Sequence, residues 1–371
     1  MGRKYFVIGL LFVSVVGYGQ DLKFRSSSRL ILGNYVERSA SVSAGDVDGD
    51  GDLDVLVANG RHWPGQNRIL LNNGRGIFTV SRSLGVDSET SYACELADFD
   101  GDGDLDVAVG NDMAPNYIFL NDGSGHFMKA SSFGTEYAPT RNITIADIDS
   151  DGDVDILITN RGRENEICLN DGQGAFSKSL GFGSKDDSTI DVEVADMDGD
   201  GHLDLVLANR DEQQNFIYLN DGKMNFNTKI PFGTGYDNTR SIAVGDMNSD
   251  GYLDVVLANI GEANTIYLGG KDHKFKERIE FDSGAADSYS LAIADLNKDG
   301  YLDIAVGNSG GENTVFISNE KGHTWERILL HPDKLNTYDI ICADLNGDGR
   351  HDIIESNSDE VNRYYFNLLN H

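Results

Sequence analysis

One acidic stretch returns seven times and constrains everything else in this chain. Asp46 to Asn59 reads DVDGDGDLDVLVAN, and the same pattern starts again at Asp98, Asp147, Asp196, Asp246, Asp295 and Asp344. Successive starts lie 52, 49, 49, 50, 49 and 49 residues apart. A fixed period of this size marks an array of one supersecondary unit, which cannot bury its apolar face alone and stacks on its neighbours. Length alone, 371 residues, would suggest two or three domains; the repeats replace that with a single array.

Within a unit, a short run ending in Ala-Asp or Gly-Asp, such as Ile143 to Asp147, enters the acidic loop. An apolar run follows, as in Leu253 to Ala258, and then Asn-x-Ile-x-Leu-Asn, as in Asn215 to Asn220. A turn such as Asn170-Asp171-Gly172 leads into a run opening on Phe, as in Phe127 to Phe133. Asn-Gly and Asp-Gly turns between β-prone runs signal hairpins. Four antiparallel strands per unit, A to D, are therefore expected, and seven such sheets make an all-β, seven-bladed β-propeller. The seventh unit carries runs for strands A (Asp339 to Ala343), B (Asp352 to Glu355) and C (Arg363 to Leu368), with no fourth run before His371. Phe24 to Gly33, like Phe127 to Gly134, opens on Phe and closes on Gly, and it precedes the first strand A. It is predicted to complete the last blade, closing the ring and hiding its edges.

The loops read Asp-x-Asp/Asn-x-Asp-Gly-x-x-Asp. Oxygen donors at positions one, three and five with Gly at six match the first half of an EF-hand calcium loop, with an Asp at nine in place of the Glu at twelve. The predicted ligands are Asp46, Asp48, Asp50 and Asp54 in the first loop, and Asp98, Asp100, Asp102 and Asp106 in the second. Asp147, Asp149, Asp151 and Asp155 follow in the third, and Asp196, Asp198, Asp200 and Asp204 in the fourth. The fifth offers Asp246, Asn248, Asp250 and Asp254, the sixth Asp295, Asn297, Asp299 and Asp303, the seventh Asp344, Asn346, Asp348 and Asp352. Hard oxygen donors without His or Cys favour Ca2+ over zinc. All ligands of a loop come from one tight turn, so up to seven ions are expected in a structural role. They would bring the net charge of −31 to about −17.

That charge argues against nucleic acid and anionic membrane surfaces as partners. Met1 to Gln20 carries Arg3 and Lys4, an apolar run from Tyr5 to Val16, and small residues at Gly17 and Gly19. It is expected to be a signal peptide, residues 1–19, ahead of a single propeller domain, 20–371; its apolar core is too short for a membrane span. Export to the periplasm and a monomeric state are expected. Cys94, Cys168 and Cys342 sit singly inside apolar runs and are expected to be free, buried thiols.

On these motifs the chain resembles the FG-GAP and VCBS repeats of integrin α-subunit propellers and of many secreted bacterial proteins. The likeness covers residues 24–371 and is specific at the acidic loops. The Phe-Gly pair stands at Phe133-Gly134, Phe182-Gly183 and Phe232-Gly233, whereas a Gly-Ala-Pro element is absent, which favours the bacterial type. The resemblance implies a calcium-binding propeller; activity does not follow from it.

In a four-stranded blade the A–B and C–D connections share one face of the disc, and the B–C and D–A connections the other. The repeats diverge on the second face, where a specific site can be built. The first B–C loop, NGRHWPGQN, brings Arg61, His62 and Trp63, and the third brings Arg161 and Arg163. The D–A loops bring Tyr92, Tyr137, Arg141, Tyr236, Arg240, Tyr289 and Tyr338, and residues just before strand A should reach the central funnel. Guanidinium groups pair with carboxylate or sulfate, and tyrosines stack on sugars and donate hydrogen bonds. No Gly-x-Ser-x-Gly, His-Glu-x-x-His or phosphate loop occurs. The chemistry this face suits is β-elimination on a uronate-containing, anionic oligosaccharide, with His62, Tyr137 and Tyr236 as acid/base candidates and Arg61, Arg141, Arg163 and Arg240 as neutralisers. Such propellers are similar to lyases and a dehydratase of bacterial ulvan degradation. A non-catalytic carbohydrate-binding or adhesion propeller is the second expectation; it would show similar pockets around the ring, where an enzyme would show one asymmetric site.

Overall fold

The structure is a computed structural model that describes residues 22–284, 286–319 and 321–368; the expected leader, residues 1–19, lies outside them. Among the described residues there are 28 β-strands and no helix. Blade 2 is typical, with antiparallel strands Ser91–Ala97, Asp106–Asn111, Asn116–Asn121 and Phe127–Phe133. The seven strands A are Glu37–Gly45, Ser91–Ala97, Thr140–Ala146, Thr189–Ala195, Thr239–Gly245, Asp287–Ala294 and Leu335–Ala343. Each touches the next, and the last touches the first, so they line a closed ring about an axis.

The first six residues of each strand B, such as DVLVAN at Asp54–Asn59 and DILITN at Asp155–Asn160, are all buried. Their unbroken apolar runs follow from being covered on both faces by neighbouring blades. The core is accordingly divided into seven apolar clusters, each shared by two consecutive blades. The cluster of Val42, Val55, Tyr364 and Phe366 joins the seventh blade to the first.

The ring closes as the sequence implies, with one difference. Only Phe24–Arg25 pairs as a strand with Arg363–Asn367, and the chain then turns at Ser27 to Leu30 before Ile31 bridges to Arg363. The predicted ten-residue strand is thus broken, because Leu30 and Leu32 drop into the core between blades 7 and 1. A second difference concerns sheet separation. Strands B of the sixth and seventh blades, Asp303–Gly311 and Asp352–Glu360, run on past the usual Asn and pair with the following strands A.

Two hydrogen-bond patterns repeat around the ring. At the end of each strand B, an Asn amide N–H donates to the side-chain oxygen of the Asn that opens the next segment, as Asn59 does to Asn67 at 2.8 Å. That second Asn then reaches the following blade: Asn67 Nδ2 donates to Ser91 Oγ at 2.8 Å, and Asn362 Nδ2 to Ser39 Oγ at 2.9 Å, which spans the closure.

The second pattern adds a structural role to the one expected for the ninth loop position. Asp54, Asp106, Asp155, Asp204, Asp254, Asp303 and Asp352 are at most 1% exposed, and both carboxylate oxygens of each accept backbone N–H groups. In Asp204 the donors are Met197 N, inside the loop, and Asn220 N, at the end of strand C, each at 2.8 Å. The carboxylate therefore braces the acidic loop against the neighbouring C–D turn whether or not it also touches an ion. Asp204→Ala leaves two buried amides unpaired and should lower stability by about 2–5 kcal/mol in urea melts, while Asp204→Asn, which keeps one acceptor oxygen, should lose about half as much.

Candidate functional site

The two faces of the disc carry different chemistry. On the acidic-loop face, carboxylate oxygens of Asp46, Asp48 and Asp50 lie within 4.8 Å of one another, as do those of Asp98, Asp100 and Asp106, of Asp147, Asp149 and Asp155, and of Asp196, Asp198 and Asp204. These clusters can hold a metal ion. Asp48 Oδ1 is buried with no hydrogen-bond partner, an atom that a cation would satisfy. Burial raises the Asp48 carboxyl above its ordinary value, and Asp50 and Asp46 add repulsion. The fifth and sixth loops have two carboxylates and an Asn amide at positions one, three and five, and Asn248 Nδ2 donates to Asp250 Oδ2 at 3.0 Å. In the seventh loop Arg350 Nη2 donates to Asp348 Oδ2 at 2.6 Å, so a guanidinium already answers part of its charge.

On the other face the strands A surround an axial cavity of about 500 Å³. Side chains line it in tiers, because alternate residues of a strand point the same way and a bulge resets the alternation near each start. The mouth tier holds Tyr92, Arg141, Arg240, Tyr289 and Tyr338. Below it come Ser41, Asn142, Asp191, Ser241, Ser290 and Asp339, and deeper still Ser43, Glu95 and Glu193. Positive charge thus sits at the opening and acid beneath. Burial raises Glu95 and Glu193 each to about 8, with Asp339 and Asp191 respectively adding to the shift.

At one side of the mouth four residues form a chain of contacts. Asp112 accepts from Arg141 Nη1 through one oxygen and meets His62 Nδ1 through the other, each at 2.6 Å. His62 Nε2 lies 2.8 Å from the Tyr92 hydroxyl, and the Arg141 guanidinium stands 4.5 Å from the centre of the Tyr92 ring. Burial raises the Tyr92 phenol, with Arg141 and Arg61 pulling it back, so it is neutral at neutral pH. The network then assigns the protons: Tyr92 donates to His62 Nε2, and His62 Nδ1–H donates to Asp112. A phenol hydrogen-bonded to an imidazole oriented by a carboxylate can pass a proton in either direction.

The guanidinium groups are not all spent on this network. Arg141 uses only Nη1, on Asp112 and the Thr140 carbonyl. Arg240 lines the cavity with no ion pair or hydrogen bond among the described residues, 5.4 Å from the centre of the Tyr289 ring. Burial lowers its basicity while Asp191 partly restores it. Arg61 lies 4.0 Å over Tyr338 and near Asp359. Arg240 feels Asp191 only at longer range and has no direct ion pair among the described residues, so its guanidinium can take an anion at the cavity mouth.

Of the residues singled out in sequence, the fold brings together Arg61, His62, Arg141 and Arg240. It does not bring in Tyr137, Tyr236 or Arg163, which are exposed and do not line the cavity; Tyr137 and Tyr236 are 57% and 76% exposed. Tyr236 belongs to the strand Thr228–Asp237, Tyr137 to the turn before Thr140–Ala146, and Arg163 to the turn between Asp155–Asn160 and Asn165–Leu169. Tyr92 takes the place expected for them: it stands on strand A, six residues before Asp98, as Arg141 stands before Asp147 and Arg240 before Asp246. Asp112 escaped notice among 61 acidic residues, although it alone puts Asp directly after the strand B Asn; the other units have Gly60, Arg161, Arg210, Ile260, Ser309 and Ser358 there.

The chain matches the FG-GAP-like repeat over residues 46–109, 98–158, 147–207, 196–257, 246–306 and 295–355. No curated protein matches it. Among solved structures it is similar to a chain in the crystal structure of BBS1N in complex with ARL6DN, soaked with mercury, at 12% identity and TM-score 0.59, covering 92% of this chain and 97% of that one. The lead-soaked crystal structure of the same complex gives 13% identity, TM-score 0.60 and coverage of 91% and 96%. At such identity the likeness speaks for the fold alone.

The raised acids set a pH dependence. An unfolded Glu ionises near its ordinary 4.5, while folded Glu193 keeps its proton to about 8, so the fold loses stability as pH rises between these values. Glu193→Gln removes the loss. The variant should melt with wild type at pH 4 and above it at pH 8, with a gain that solvent in the cavity holds below about 1.4 kcal/mol per pH unit.

Proposed function

The chain belongs to the FG-GAP-like repeat family, and from that premise we propose that its axial cavity is the active site of a carbon–oxygen lyase or dehydratase acting by β-elimination on uronate-containing, anionic oligosaccharides of the ulvan type. The observation that carries this is the unpaired Arg240, facing the same cavity mouth as the Tyr92–His62–Asp112 chain. Arg240 and the free edge of Arg141 bind the sugar carboxylate and lower the cost of charge on the carbon beside it. Tyr92 takes the proton from that carbon as its own proton passes to His62. The electron pair forms the C=C bond, the β C–O bond breaks, and the leaving oxygen recovers the proton through Tyr92. Asp112 holds the imidazole and Arg141 in place throughout.

A carbohydrate-binding or adhesion propeller remains the second reading. The enzyme is favoured because the relay occurs in one blade interface and the Arg positions are irregular around the ring. We further propose export to the periplasm, a monomer, and Ca2+ in the acidic loops. The ions would neutralise carboxylates and hold each A–B loop, away from the reacting sugar. By charge count the first four loops should bind most tightly.

Incubation with glucuronate-containing oligosaccharides should yield unsaturated products, followed by ultraviolet absorbance and mass spectrometry. Tyr92→Phe and His62→Ala should each lower kcat at least about 100-fold, and Arg240→Met should lower kcat/KM by about 100-fold, with melting temperatures retained. Full rate in Tyr92→Phe would sink the mechanism, and binding without product would favour the adhesion reading. Excess chelator should lower the melting temperature by several degrees, and elemental analysis after gel filtration should find calcium falling in two stages, from up to seven ions per chain to about four and then to none. An unchanged melting temperature would contradict the calcium assignment.

A further inference from the structure

We infer that the Trp63 corner of the mouth is a second sugar subsite, stacking the pyranose ring next to the uronate held in the axial cavity; this rests on the uronate reading of that cavity. Trp63 is 62% exposed, whereas the other tryptophan, Trp325, packs against Phe281 with ring centroids 5.9 Å apart. The exposure is imposed by the backbone. Gly60 has φ +125°, and a Cβ there would run into the carbonyls of Glu89 and Trp63, so the turn is built around a glycine. Trp63 N donates to the Gly60 carbonyl at 3.1 Å, and Gly65 and Glu89 exchange two backbone hydrogen bonds of 2.8 Å. A side chain presented on so firmly held a loop is not free to fold back onto the core.

The surroundings suit a sugar. Trp63 lines a hollow of about 470 Å³ with Val36, Arg38, Pro64, Gln66 and Asp359. The Arg38 guanidinium stands 5.6 Å from the indole centre and shares Asp359 with Arg61, at 3.3 and 3.9 Å. An apolar ring face beside hydrogen-bonding groups is what the C–H face and hydroxyls of a pyranose require. Arg61 stands between the two, 3.9 Å from Asp359 of the hollow and 4.0 Å over the Tyr338 ring of the axial cavity, so the hollow borders the reacting site. A chain with its uronate against Arg240 can extend over this corner. A second copy of the chain is the competing occupant.

The test uses binding and tryptophan emission. Wild type and Trp63→Ala are titrated with D-glucuronate and with a tetrasaccharide bearing glucuronate at its non-reducing end. The tetrasaccharide should perturb the Trp63 emission and bind wild type about tenfold tighter than Trp63→Ala, with Trp63→Phe recovering most of the difference; D-glucuronate should bind all three alike. Equal weakening for both ligands, or no weakening for the tetrasaccharide, overturns the subsite and leaves the cavity reading standing. Failure of wild type to bind either ligand overturns both. Loss of self-association in Trp63→Ala on ultracentrifugation, with sugar binding unchanged, gives the corner to a second copy and also overturns the subsite.

Discussion

The buried aspartate at the ninth position of each acidic loop is the interaction on which the rest of the propeller depends. It opens strand B, the most buried strand of the blade, and spends one oxygen on the loop and the other on the end of strand C. Burying an ionisable group is costly, and the cost is visible in the elevated carboxyls, about 6 at Asp54 and about 7 at Asp303. Two backbone amides per carboxylate offset it, and those amides would otherwise be unpaired themselves. Because the same exchange occurs in every blade, the acidic-loop face is rigid and uniform.

That uniformity frees the opposite face. There the Asn-to-hydroxyl links carry each blade to the next and, through Asn362 and Ser39, carry the last blade to the first. With the frame secured by side chains close to the strand ends, the residues just beyond them can vary. Gly60, Asp112, Arg161 and Arg210 occupy equivalent places with unrelated chemistry. The axial cavity is where this variation converges, because seven strands A meet there and their inward residues line it in tiers.

The charge order of the cavity explains which groups can serve a ligand. Guanidinium groups at the mouth face an opening, so an anion can reach them without crossing the acids below. Glu95 and Glu193 hold protons to about 8, which limits the repulsion they exert and lets them hydrogen-bond to hydroxyls. Asp112 differs from these acids: it is buried between Arg141 and His62, and its role is to fix their positions.

Repeat period, blade number, strand order, ring closure and the composition of the acidic loops were all legible from spacing alone, since a β-propeller repeats its local rules in each blade. The placement of Arg141 and Arg240 was legible too, from their position before strand A. Tyr92 joins them on the same count, six residues before Asp98, whereas Tyr137 and Tyr236 stand ten before Asp147 and Asp246. The pairing of His62 with Asp112 joins residues 50 apart in neighbouring blades, a distance no local pattern encodes. The double duty of the ninth aspartate was hidden for the opposite reason, because its sequence context is the same as that of a ligand. Sequence by itself determined the architecture and the chemistry available on each face, through short-range periodicity. Tertiary structure alone decided which side chains meet at the axis, because those contacts are set by the packing of blade on blade.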